Sequence, residues 1–255
     1  MRGAIMSARK AGTTRQRARR LVLLVSFLQF PVTIFYFSPV LAISGAFEGV
    51  VAGCLLVFTL QFLVSLVARR AFCGWLCAAG GLQEIEADVA GKPAKLGWRT
   101  RIKYVIWVPW VLTIIAGAWL AGGFSIVDPL YHTTAGMSVA NLMGLGIYLG
   151  IVALFFIPNL ILGRRAMCHC ICWMAPFMVL GGKLGRVLRI PQLHIAAESD
   201  RCIHCGKCER ACPMSLPVEE LLCDGAIADA ECIQCAACAD TCPKDVLKLR
   251  LGRMR

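Results

Sequence analysis

Four uninterrupted apolar runs organise the first two thirds of the chain: Leu21–Ile43, Val50–Ala68, Tyr104–Ala121 and Val139–Leu162. Each matches the roughly 17–25 residues a helix needs to cross the hydrocarbon of a bilayer. None contains Lys, Arg, Asp or Glu. A soluble chain of 255 residues could bury one such helix, whereas four would need far more polar cover than is present. Pro31, Pro39, Pro109 and Pro158 lie in or near the runs and predict kinks, since neighbouring helices can cover the backbone groups that proline frees. Gly81–Val89 and Trp173–Leu180 are too polar or too short to span, and predict re-entrant or interfacial helices over the ends of the bundle, the second ended by Gly181-Gly182. Pro191–Asp200 then reads as a linker to a small soluble module.

Composition agrees with a membrane protein: 58% of residues are hydrophobic and the mean hydropathy is +0.68. The basic residues set the orientation. Arg2, Arg9, Lys10, Arg15, Arg17, Arg19 and Arg20 precede the first run, and seven more lie between Arg69 and Lys103. Arg164, Arg165, Lys183, Arg186 and Arg189 follow the fourth, while the connections Ser44–Gly49 and Gly122–Ser138 hold none. The positive-inside bias therefore predicts a multi-pass protein of the inner membrane, with its N-terminus, middle loop and C-terminus in the cytoplasm. The first run is longer than the usual 7–15 residues of a signal-peptide core, and Ala42-Ile43-Ser44 is a poor cleavage match. An uncleaved anchor is expected, with Arg19-Arg20 as its basic flank and not a twin-arginine signal. The formal charge of +12 does not point to nucleic acid. Residues 1–199 carry +13 and residues 200–255 carry −1, so the excess flanks the spans, where it can meet anionic headgroups.

Cysteine spacing adds the chemistry. Eight of the fifteen cysteines form two runs, Cys202-x2-Cys205-x2-Cys208-x3-Cys212-Pro213 and Cys232-x2-Cys235-x2-Cys238-x3-Cys242-Pro243. That is the pattern of a bacterial-type two-cluster ferredoxin, in which the fourth cysteine of each run reaches the other run's cluster. One [4Fe–4S] cluster is then expected on Cys202, Cys205, Cys208 and Cys242, and a second on Cys232, Cys235, Cys238 and Cys212. Disulfides and zinc knuckles also use C-x2-C spacings, but neither predicts the third cysteine, the proline after the fourth and the duplication. Cys223, between the runs, is expected to be a non-ligand because all eight positions are filled. The fold class expected is an all-α transmembrane bundle of four spans with short interfacial helices, joined to a small α+β ferredoxin domain. Its divisions are a basic segment at 1–20, a membrane domain at 21–190 and the ferredoxin domain at 191–255.

A second cysteine set lies at the ends of the apolar runs. Phe72-Cys73-Gly74-Trp75-Leu76-Cys77 follows Arg69-Arg70, and Cys168 and Cys172 follow Arg164-Arg165. Two spans, an Arg-Arg and a C-x3-C, occurring twice, make a loose internal repeat over about 21–90 and 104–190. Like units would pack with their pairs facing each other. Four thiols meeting there could hold a metal or a further cluster, run thiol–disulfide chemistry, or merely line a helix junction. Cys170 and His169 lie between Cys168 and Cys172 and leave that ligand set open. Cys54, inside the second run, is expected to serve packing, and Trp119 and Tyr131 to anchor at an interface.

These two Arg-flanked C-x3-C pairs, with a C-terminal two-cluster ferredoxin, resemble the polyferredoxin-like membrane proteins of the NapH, NosR and MauN type. The likeness covers nearly the whole chain and carries over Cys73, Cys77, Cys168, Cys172 and the eight cluster cysteines. It departs at one point: family pairs are followed at once by proline, whereas Ala78 follows Cys77 and Trp173 follows Cys172, with Pro176 displaced. Larger members carry an extracytoplasmic flavin-binding domain. The outer connections here leave no room for one, so any outer redox centre is expected to belong to a partner. The resemblance implies an electron-transfer subunit between cytoplasmic-side clusters, fed by a cytoplasmic donor, and a quinone or a membrane or periplasmic redox enzyme or cytochrome subunit. The alternatives are a maturation or assembly factor for such an enzyme, and a redox sensor using the surface thiols. Asp128 and His132, in the longer outer connection, could handle protons for a quinone. The sequence has no nucleotide fingerprint, hydrolytic triad or C-x-x-C-H motif, so substrate catalysis by the chain itself is not expected.

Overall fold

The structure, a computed structural model, describes residues 13–89, 91–94 and 97–253. Arg2, Arg9, Lys10 and Lys95 lie outside the described residues. The first apolar run is divided into separate helices where a single kinked span was expected. Helix α1 (Thr14–Leu28) starts at Thr13, whose hydroxyl accepts from the Gln16 N–H, and gives way to the single turn α2 (Phe30–Thr33) with Pro31 in its first turn. A 3-10 turn, Ile34–Phe37, follows, and then α3 (Pro39–Phe47), capped by the Ser38 hydroxyl. Both prolines sit where a missing N–H costs nothing, at the start of a new helix, and so divide the run instead of merely kinking it. The axis turns by 57° between Thr14–Leu28 and Phe30–Phe37.

The second run is shortened at its start. Strand β1 (Val50–Ala52) pairs in parallel with β2 (Ile126–Asp128), leaving α4 (Gly53–Ala68) at 16 residues. At about 1.5 Å per residue that is near 24 Å, below the roughly 30 Å of hydrocarbon. Beyond it lie the short α5 (Ala71–Trp75) and α6 (Ala78–Val89). The third and fourth runs form α7 (Ile102–Leu120), entered by a 3-10 turn at Gly97–Arg101, and α8 (Leu142–Leu162), capped by Asn141. Among the described residues, two helices, Gly97–Leu120 and Leu142–Leu162, are long and apolar enough to cross a membrane. The bent pair at Thr14–Leu28 and Phe30–Phe37 makes a third if it counts as one span. The outer faces of α7 and α8 leave Val105, Leu112, Ile115, Leu142, Leu149 and Ile161 exposed, apolar surface suited to lipid.

Helix α9 (Ala166–Cys170) repeats the place of α5, and α10 (Ala175–Val187) follows. The glycines expected to end this last helix lie inside it. A Cβ on Gly181 would stand 2.6 Å from the Phe62 carbonyl, and one on Gly185 would strike the Leu66 carbonyl, so these glycines let α10 lie against α4 backbone to backbone. The supposed linker is also structured. Gln192–Ala197 forms β3, the central strand of a three-stranded antiparallel sheet with β4 (Ala226–Ile227) and β5 (Leu247–Gly252). Ile195 stands opposite Ile227 on one side and Leu249 on the other. The buried Gln192 amide donates to the Leu66 and Gly182 carbonyls, which fixes β3 to the α4–α10 crossing. Two short helices, α11 (Lys207–Ala211) and α12 (Ala237–Thr241), complete the tail and pack on each other. One continuous core runs through both parts, with Phe58, Met174 and Met178 joined to Ile195, Met214 and Ile233.

Candidate iron–sulfur sites

Each four-cysteine run folds in the same way. His204 and Gly206 in the first loop, and Gln234 and Ala236 in the second, take left-handed φ values between 50° and 64°. Left-handed residues at alternate positions curl a loop around a small volume. Glycine does this freely; at Ala236 the same conformation costs on the order of 1 kcal/mol. Helices α11 and α12 then end at the fourth cysteines, Cys212 and Cys242.

Because α11 packs on α12, the fourth cysteines change places. One cavity is lined by Cys202, Cys205, Cys208 and Cys242, with Ile203 and Val246; the other by Cys232, Cys235, Cys238 and Cys212, with Met214 and Ile233. The second lies deeper, with Cys212, Cys235 and Cys238 buried, whereas Cys202, Cys205 and Cys208 are half-buried. Cys223 is exposed and lines neither cavity. Burial pushes the Cys212 thiol up to about 12, the Cys232 thiol to about 11 and the Cys238 thiol well above its ordinary value. Thiols so placed stay protonated unless a cation replaces the proton, which suits a donor set whose metal binding expels protons. Among the described residues no three His, Cys, Asp or Glu side chains converge to hold a single metal ion. The thiols line the two cavities, an arrangement a multi-iron centre can use.

The structure also brings the C-x3-C pairs together. Cys73 lies on α5 and Cys168 on α9, and the chain turns alike after each: the Cys77 N–H donates to the Phe72 carbonyl at 3.0 Å and the Cys172 N–H to the Met167 carbonyl at 3.1 Å. All four thiols are buried and free. They lie within electrostatic reach of one another, since Cys73, Cys168 and Cys172 each help to raise the Cys77 thiol, after the larger effect of burial. Burial, then Cys168 and Cys73, raises Cys172 to about 12. Gln83, on α6, donates to the Cys168 sulfur at 3.2 Å. His169 and Cys170 stand outside this quartet. The His169 ring bonds the Met214 carbonyl and faces Glu231, while Cys170 packs with Ala166. Cys54 joins the core of α4.

Between the quartet and the deeper cavity runs a seam of buried charge. Several basic residues expected at headgroups are instead turned inward: Arg19, Arg70, Lys103 and Arg165 are each at most 1% exposed. Arg70 and Lys103 both bond Glu231, the residue before Cys232, whose carboxyl they hold well below the usual range against the opposing effect of burial. Arg19, at 2.5 Å, and Arg165, at 3.1 Å, bind Glu84 on α6. Arg69 donates to the carbonyls of Ile227, Ala228 and Asp229. Helix α1 joins in, with Arg15 on Asp240 and the Gln16 amide on the Cys235 carbonyl. The Trp75 indole donates to the Gln234 carbonyl at 3.1 Å. Residue type could not single out Gln16, Glu84 or Glu231: Glu84 is one of three acids in Gly81–Val89, and Glu231 simply precedes Cys232.

Asp128 and His132 lie far along the chain from this seam, in the β2 connection. Asp128 accepts from the Leu130 N–H, and the His132 ring meets the Tyr131 ring edge to face. A separate apolar cavity, walled by Phe37, Phe155, Trp173 and Cys77, lies beside the quartet.

Comparison with known proteins agrees with this chemistry. A family model described as a 4Fe-4S dicluster domain matches residues 201–247, and one described as a 4Fe-4S binding domain matches residues 52–95. The methylamine utilization ferredoxin-type protein MauN of Methylorubrum extorquens is 30% identical over 69% of this chain and 59% of its own length. MauN of Paracoccus denitrificans is 28% identical over 69% of this chain and 60% of its own length. YccM of Escherichia coli, whose name marks it as a candidate electron transport protein, is 26% identical over 71% of this chain and 51% of its own length. The chain thus spans about half to three-fifths of these relatives. No solved structure matches the chain at a significant level.

Proposed function

We propose, for a chain that belongs to the polyferredoxin-like 4Fe–4S membrane proteins of the NapH, NosR and MauN type, that it is a membrane-anchored electron-transfer subunit. In this reading it passes electrons between its tail clusters and a quinone or a membrane or periplasmic redox enzyme. The general role, iron–sulfur electron transfer in a membrane-associated protein, follows from the family. The finer reading is carried by one observation: each tail cavity is lined by four cysteines, and the deeper one abuts the C-x3-C helices. Cys202, Cys205, Cys208 and Cys242 would hold one [4Fe–4S] cluster, and Cys232, Cys235, Cys238 and Cys212 the other. Bound there, a cubane takes up and releases single electrons without making or breaking bonds in the protein. The residues set its surroundings: an apolar lining, buried arginines, and a half-buried face at Cys202–Cys208 where a donor can dock.

Four crossings remain part of the proposal, with α4 and the bent α1–α2 segment completing the pair α7 and α8. The contact of Arg15 and Gln16 with Asp240 and Cys235 supports placing the start of α1 and the tail on one face of the membrane. Dithionite-reduced protein in detergent, mixed with a quinone analogue, tests the reading. Rapid bleaching recovery of both clusters is expected. Clusters inert to quinones and to every redox partner, alongside a cofactor-poor partner enzyme in deletion cells, would move the reading to maturation.

A further inference from the structure

Two buried guanidinium groups beside the C-x3-C quartet are short of acceptors. Arg70 spends one nitrogen on Glu231 and Ala230, while its Nε and Nη2 find no oxygen acceptor among the described residues and the side chain lies against the Cys73 thiol. Arg165 spends both terminal nitrogens on Cys73, Gly80 and Glu84, and its Nε has none. Both groups are 1% exposed, so bulk solvent does not supply the missing acceptors. Arg19, Arg70, Lys103 and Arg165 moreover share only two carboxylates, Glu84 and Glu231. Two positive charges are left without a carboxylate in a place that bulk solvent does not reach, which is costly unless an anion stands nearby. The thiols in that field are Cys73 and Cys168, which act on Arg70, and Cys168 and the tail's Cys235, which act on Arg165.

Four thiolates around a [4Fe–4S] core of charge 2+ carry a net 2−, an anion suited to this positive field, which the deeper tail site shares through Cys235. The family model over residues 52–95 points to the same group but contains only Cys54, Cys73 and Cys77, and Cys54 lies in the apolar helix α4. A cubane needs four thiolates. The repeat supplies the others from outside the matched segment, at Cys168 and Cys172. Gln83 already donates to one of these sulfurs, the kind of bond that tunes cluster potentials.

We infer that Cys73, Cys77, Cys168 and Cys172, two from each half of the repeat, hold a third [4Fe–4S] cluster, with Arg70 and Arg165 as its buried counter-charges. The inference rests on the proposed function only for the kind of cofactor. His169 and Cys170, nearer in sequence to Cys168 than Cys172 is, are not ligands in this assignment, because the fold turns them away.

The test is iron and acid-labile sulfide content, with Mössbauer spectra, on the full chain purified without oxygen in detergent. About twelve irons per chain are expected, falling to about eight in Cys73→Ser and in Cys168→Ser while the tail clusters keep their EPR signals. Cys170→Ala and Cys54→Ala should stay at the wild-type count. Wild-type protein with about eight irons and four alkylatable thiols at the quartet overturns the inference while leaving the tail clusters standing. Protein without iron at all would instead remove the functional reading itself, so the two failures are distinguishable. The wild-type count decides the matter even where a cysteine variant fails to accumulate.

Discussion

Gly74, in the middle of the first C-x3-C pair, touches the backbone of Ile233, between the first two cysteines of the second ferredoxin run. A Cβ built on Gly74 would strike the Ile233 carbonyl. Nothing in the φ of Gly74 demands glycine; the demand comes from the close approach of two chains far apart in sequence. The tail is thereby held against the membrane part by its deeper cluster loop.

Gly74→Val should therefore force the two surfaces apart. Overpacking at a tight contact costs about 1–3 kcal/mol, and here the loss should fall on docking more than on either part alone. Faster release of the tail in limited proteolysis, with the first-run cluster spectrum unchanged, is the expected result. Unchanged protease resistance would mean that the contact does not hold the parts together.

Glu231 is the anion for both Arg70 and Lys103. Removing one partner of a buried ion pair leaves the other charge stranded, at about 3–5 kcal/mol. Glu231→Ala should lower the thermal midpoint in detergent sharply, whereas the equally conservative truncation of the exposed Glu198 should barely change it. Equal effects of the two would refute the assignment of the seam as buried.

Glu84 gives the seam a pH dependence. Arg165 and Arg19 overcome the effect of burial and lower its carboxyl from 4.5 to about 2. A depressed acid contributes stability above its unfolded pKa and loses it as pH falls, so the contribution is complete above about pH 5 and fades toward pH 2. The shift corresponds to about 3 kcal/mol at neutral pH. The difference in stability between wild type and Glu84→Gln should therefore narrow steadily below pH 4.5. A gap that stays constant down to pH 3 would show that the ion pair is not its source.

The exchange of fourth cysteines makes crossed predictions. Cys242→Ser should disable the cluster built mainly by the first run, and Cys212→Ser the one built by the second. EPR of each reduced variant should lose the signal that Cys205→Ser and Cys235→Ser, respectively, also remove, and keep the other. Loss of the same-run cluster instead would mean that each run holds its own.

Much of the chemistry could be read from spacing alone, because a cysteine run encodes its own loop. Placement could not. Arg69, Arg70 and Arg165 look like the basic flank of any membrane helix, and only the fold turns them inward, Arg69 and Arg70 onto the tail and Arg165 onto α5 and α6. Pro31 and Pro39 were visible as kinks, yet whether proline bends a helix or begins a new one depends on the N-caps around it, Ser38 among them. Pro191–Asp200 lacks the length and clean alternation of a strand. Its strand exists because β5, more than fifty residues later, pairs with it. Gly181-Gly182 read as the end of a run, but at Gly181 a glycine is also what a helix needs where another backbone crosses it.

The tail clusters are tested most directly by metal analysis of the intact protein isolated anaerobically, joined to EPR of the dithionite-reduced sample. At least about eight irons with matching sulfide, and the broadened spectrum of two cubanes close enough to interact, are the predicted result. Stoichiometric zinc with no iron would contradict it.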